Sequence, residues 1–142
     1  MIYKATRLIQ HEMDKKELKY YVEEFDDRSI LYAGFGIENG PSVRVQFISR
    51  DNDNDVAIFL FGLVNGVSED NMDKMLNAIN ECNKKYRYLK FYVDDDRDVN
   101  VEYDIPIETD DNSVGAEACE IFVRIMQITN ECYPMLMKVI WS

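Results

Sequence analysis

"SILYAGFGIENGPSVRVQFIS", residues 29–49, is the stretch on which the fold turns. In its second half Val43, Val45 and Phe47 alternate with Arg44 and Gln46, the period of a strand with one buried face. The first half, 29–38, is apolar on both parities. Asn39-Gly40 between them tolerates positive φ and reads as a hairpin turn. Side chains alternate faces along a strand, so loop length decides which residues share a face. A glycine bulge sets Leu31, Ala33, Phe35 and Ile37 beside Val43, Val45 and Phe47; a plain two-residue turn would set Gly34 and Gly36 there. The bulged register buries more apolar area and is the one expected.

Working outward, "DVAIFLFGLV" (55–64) is apolar throughout and makes a third strand. Val56, Ile58 and Leu60 point to one side of it, Phe59, Phe61 and Leu63 to the other. "SEDNMDKMLNAINECNKKY" (68–86) is a helix, with Ser68 as N-cap and acidic Glu69 and Asp70 at the positive end of its dipole. "YLKFYV", the turn "DDDRD" and the alternating "VNVEYDIPI" form a second hairpin. A final helix begins near Ser113, and Pro134 is expected to kink or break it. Upstream, "DKKELKYYVEEF" (14–25) carries a capping-box pair, Asp14 and Glu17, and an apolar stripe of Leu18, Tyr21, Val22 and Phe25. It is expected to be an amphipathic helix, with residues 1–13 unassigned. The order is α-β-β-β-α-β-β-α, an α+β domain with an antiparallel five-stranded sheet and helices, spanning 1–142 as one unit.

The formal net charge of −11 disfavours nucleic acid and anionic membrane as partners, because like charges repel. The three cysteines, Cys82, Cys119 and Cys132, show no C-x-x-C spacing and read as reduced thiols. The start has neither the apolar stretch nor the cleavage site of a signal peptide, and "VAIFLFGLV" is too short to span a bilayer. A soluble protein of the cytoplasm is expected.

The helix end "NAINECNKKY", the acidic hairpin "FYVDDDRDVNVEYDIPI" and a last helix carrying "CYP", taken with the element order, resemble the YbjN-type bacterial domain over about residues 14–140. The resemblance implies a sensory-transduction regulator, with a fold like that of type III secretion chaperones and a tendency to self-associate. It brings no catalytic residues. The chain departs from the pattern after the fourth strand, where the family tends to place a glycine and "DDDRDV" has none.

Several motifs invite a chemical reading. Asp51, Asp53 and Asp55 alternate like the ligands of a calcium loop, but the glycine and glutamate positions of such a loop hold Val56 and Gly62. A strand corner is the better account. Asp94, Asp95, Asp96 and Asp98 fail the same test and read as an acidic ridge, joined by Glu102, Asp104, Glu108, Asp110 and Asp111. Gly34-Phe35-Gly36 lies inside a strand, where no phosphate cradle forms. His11 is the only histidine, so a histidine-dependent triad would rest on it alone. No enzyme activity, metal or cofactor is expected. The strongest signal is surplus apolar surface: Tyr32, Phe59, Phe61 and Tyr92 fall on a second sheet face that a monomer would leave exposed. They are the expected partner-binding residues, for a homodimer or an apolar or basic protein segment. A small-molecule or divalent-cation binder using the acidic hairpins is the alternative.

Overall fold

The computed structural model describes residues 2–50, 55–107 and 112–141. The elements are α1 (Lys4–Lys15), β1 (Tyr21–Glu24), β2 (Arg28–Gly36), β3 (Ser42–Arg50), β4 (Asp55–Val64), α2 (Met72–Lys85), β5 (Lys90–Val93), β6 (Val99–Pro106) and α3 (Val114–Ile140). The class is α+β, as expected. Among the described residues, however, the antiparallel sheet has six strands rather than five, in the order β1-β2-β3-β4-β6-β5.

The extra strand corrects the expected first helix. Helix α1 lies earlier, because Ala5, Ile9 and Met13 recur every fourth residue and bury one stripe. Glu17 adopts the left-handed conformation (φ 57°), and the Leu18 amide donates back to the Met13 carbonyl at 2.9 Å. Asp14 and Glu17 therefore belong to a helix end, not a helix start. Beyond them Tyr21 to Glu24 pair with Tyr32 to Ser29 as β1.

The central hairpin takes the expected register: Leu31 opposes Phe47, Ala33 opposes Val45 and Phe35 opposes Val43. The left-handed residue in its loop is Asn39 (φ 57°), and the Gly40 amide closes the turn on the Ile37 carbonyl at 3.0 Å. A turn of the same kind joins β5 to β6. The Arg97 amide donates to the Asp94 carbonyl and the Asp94 amide to the Asp98 carbonyl, both at 3.0 Å. Arg97 takes φ 62° where a glycine would be unstrained. The turn forms without a glycine by placing an arginine in the left-handed region.

The three helices among the described residues lie on one face of the sheet. Residues of α1, α2 and α3 join Leu31, Val45, Phe47, Ile58, Leu60 and Val101 in one large buried cluster. Thr6 of α1 hydrogen-bonds Ser29 at 2.8 Å and Ser49 at 2.9 Å, so three buried hydroxyls tie that helix to β2 and β3. A side chain at Gly115 would overlap the Leu8 carbonyl oxygen and lie 2.9 Å from its carbon, so α1 and α3 meet backbone to backbone. Pro134 does not end α3, which continues to Ile140.

Strand β4 supplies a further correction. Its register against β6 shifts between Leu60 and Val64, and Gly62 there has φ 72°. The bulge turns Leu63 into the main core, where it is 2 % exposed, rather than onto the second face with Phe59 and Phe61.

Candidate interaction face

No helix contributes to the small cluster on the opposite face, formed by Ile30, Tyr32, Ile48 and Ala57 with Phe25 and Phe59 against them, among the described residues. Register generates this face row by row. One row crosses the whole sheet as Tyr21, Tyr32, Gln46, Phe59, Glu102 and Lys90. The next runs Glu23, Ile30, Ile48, Ala57 and Asp104.

Without a helix above it, the cluster is roofed by aromatic rings and long cationic side chains. Tyr21 stacks on Tyr32 with ring centroids 4.5 Å apart. The Arg44 guanidinium lies 4.5 Å from the Tyr32 centroid and hydrogen-bonds the Tyr21 hydroxyl. Arg28 covers Phe25, also at 4.5 Å. Phe59 and Phe61 stack at 4.8 Å. Such stacking gains more than its area alone provides. The cover is incomplete: Tyr21 remains 46 % and Phe61 48 % exposed.

Charge is divided across the face. Arg28, Arg44 and Arg50 project from β2 and β3, and Asp55, Glu102 and Asp104 from β4 and β6. Burial, then repulsion from Glu102 and Asp55, raises the Asp104 carboxyl above the ordinary carboxylate range. Lys90 pairs with Glu102, which raises the lysine. Burial raises the Tyr32 and Tyr92 hydroxyls.

All four residues expected at a partner surface, Tyr32, Phe59, Phe61 and Tyr92, are on strands that present this face. Tyr32 is 6 % exposed beneath Tyr21 and Arg44, so it is a base for the surface rather than its top. Tyr21 and Arg44 belong to this face as well, although Tyr21 fits a helical period in the sequence and Arg44 is the polar alternate of its strand. The alternation itself was the signal for Arg44.

The acidic ridge divides into two roles. The Asp94 carboxylate accepts the Asp96 and Asp98 amides at 2.9 and 3.0 Å and Asn100 Nδ2 at 2.8 Å. These bonds, from Asp98 and Asn100 foremost, hold it below the usual carboxylate range. The Asp98 carboxylate accepts the Gly66 amide at 2.7 Å, and buried Asn100 accepts the Gly62 amide at 2.8 Å. Asp94 and Asp98 thus organise the turn and the bulged end of β4, while Asp95 and Asp96 stay exposed. Carboxylate oxygens of Asp94, Asp96 and Asp98 lie within 4.8 Å of one another, but those of Asp94 already serve the hairpin. Asp51, Asp53, Glu108, Asp110 and Asp111 lie outside the described residues. On α2, Asn83 both donates to the Phe91 carbonyl at 3.0 Å and accepts its amide at 2.8 Å, pinning β5 to the helix. Cys82, Cys119 and Cys132 are free and buried. The Cys82 and Cys132 thiols meet, and the hydrogen bond lowers Cys82 and raises Cys132.

Helices over one face of an open antiparallel sheet, with a polar and aromatic surface on the other, define an α+β domain whose second sheet face no helix covers among the described residues. The profile described as "Putative bacterial sensory transduction regulator" matches residues 6–134. The chain belongs to the YbjN family. No curated protein and no solved structure matches it. Among the described residues, no helix is long and apolar enough to cross a membrane.

Proposed function

We infer that this is a non-enzymatic regulatory domain of the bacterial cytoplasm that works by protein contact and acts as a homodimer. The carrying observation is a sheet face that no helix covers among the described residues, where Phe61 is 48 % exposed beside half-buried Phe59. The regulator family supports the reading, since a regulator needs a surface rather than a reaction centre. Binding an apolar segment, as a chaperone does, would use the same face. The test is Phe59→Ala with Phe61→Ala, read by light scattering and circular dichroism. Loss of the dimer with the fold retained supports the reading. A dimer that survives both changes overturns it.

A small-molecule reading draws on one separate feature. Where β4 leaves β3 after the Val45–Leu60 pair, a cavity of about 550 Å³ opens between Arg44, Phe61, Leu63, Tyr133, Met137 and Ile140. That volume is within the range of ligand pockets. Saturating the purified protein with small carboxylic acids, which Arg44 would pair, should raise its melting temperature if the cavity is such a site. The divalent-cation alternative has less support, because the turn itself occupies Asp94.

A further inference from the structure

The charge pattern of the bare face names its occupant and orientation, an inference that rests on the homodimer reading above. A wholly basic face would call for an acidic partner, and a wholly acidic one for a basic partner. This face is neither: the arginines lie on the β2–β3 half and most of the carboxylates on the β4–β6 half. Such a surface complements a copy of itself, provided the symmetry axis exchanges the halves.

We propose that two copies stack sheet to sheet about a twofold axis that lies in the interface, runs roughly along the strands and passes between β3 and β4. The register makes the pairing explicit. With that axis β3 lies over the partner's β4, β2 over its β6 and β1 over its β5. Arg50 comes over Asp55, and Ile48 over Ala57. Gln46 comes over Phe59. Ile30 comes over Asp104, and Arg28, two residues further along β2, reaches the same carboxylate. Glu23 of β1 approaches the end of β5 that carries Lys90. An axis running across the strands would lay each strand on its own copy. Arg44 would then face Arg50, and Glu102 would face Asp104, so like charges would meet.

The raised Asp104 carboxyl fits the same pattern: burial first, then repulsion from Glu102 and Asp55, raises it, and Lys90 offsets part of that repulsion. Arginines arriving from a second copy relieve that repulsion. Six strands spaced about 4.8 Å apart and four rows of side chains give a footprint of about 24 by 20 Å. That is about 480 Å² before side-chain relief is counted, against the roughly 800 Å² per partner of a standard interface. Sheets packed face to face cross at about 30°, which long arginine and carboxylate side chains can span.

The test is a charge exchange read by light scattering and sedimentation, with folding checked by circular dichroism. The doubles Arg28→Glu/Arg50→Glu and Asp55→Lys/Asp104→Lys are each expected to weaken dimerisation about 100-fold, because like charges would then face each other across the interface. Mixing the two doubles should give a one-to-one dimer, and all four changes in one chain should restore self-association to within about tenfold. Folded doubles that remain dimeric overturn the proposal, as does a quadruple variant that remains monomeric. In either case, loss of the dimer in the Phe59→Ala/Phe61→Ala variant would leave the face as the interface and reject only this orientation. Retention of the dimer there would reject both.

Discussion

Arg97 is the most sharply testable position in the fold. Its φ of 62° lies in the left-handed region, where an L-residue pays about 1–2 kcal/mol in contact between Cβ and the following carbonyl. Glycine avoids that contact but loses about 0.5–1 kcal/mol through the greater freedom of the unfolded chain. Arg97→Gly should therefore gain about 0.5–1 kcal/mol. For a chain of 142 residues, with an unfolding entropy of about 2 cal/mol/K per residue, this raises the melting temperature by roughly 2–3 °C. Arg97→Ala keeps the Cβ while removing the guanidinium, so it separates backbone strain from side-chain contacts. It should leave stability within about 0.5 kcal/mol of wild type, as exposed substitutions without special features do. Calorimetry with urea titration would read all three proteins. If glycine and alanine shift stability equally, the left-handed account of the turn is wrong.

Four further outcomes follow from the packing and the acidic turn. Gly115→Ala should lower stability by about 1–2 kcal/mol: overpacking α1 against α3 costs up to about 3 kcal/mol, against about 1 gained in helix propensity. A higher melting temperature would deny the close approach. Thr6→Val leaves the buried Ser29 and Ser49 hydroxyls without their shared partner and should cost about 1–3 kcal/mol in urea titration. Asp94 is held low in the folded protein, so its contribution is complete above the ordinary value of 3.8 and is lost as the pH falls through the lower folded-state value. Melting curves of wild type and Asp94→Ala should converge in that acid range. Millimolar calcium should leave the melting temperature unchanged; a rise abolished by Asp96→Ala would establish a cation site at the hairpin.

Much of the sheet was legible because its residues admit one economical arrangement. Leu31, Ala33 and Phe35 can join Val43, Val45 and Phe47 only in the register that the hairpin adopts. Residues 14–25 misled because Leu18, Tyr21, Val22 and Phe25 also fit a helical period, and an acidic pair three apart resembles a cap. What decides against the helix is Glu17 turning left-handed after α1, a tertiary outcome that leaves little trace in residue type. Leu63 was misplaced for a related reason: strict alternation holds only until a bulge, and Gly62 permits one. The site was half legible. The aromatic residues announced a second face, whereas the division of arginines from carboxylates emerges only when β4 is seen to pair with β6.

The direct test of the account is the mass of the wild-type protein in solution, followed by light scattering from micromolar to millimolar concentration. A bare sheet face that pairs with its copy predicts a particle of about 33 kDa, twice the 16.7 kDa chain. A particle that stays at 16.7 kDa across the range would contradict it.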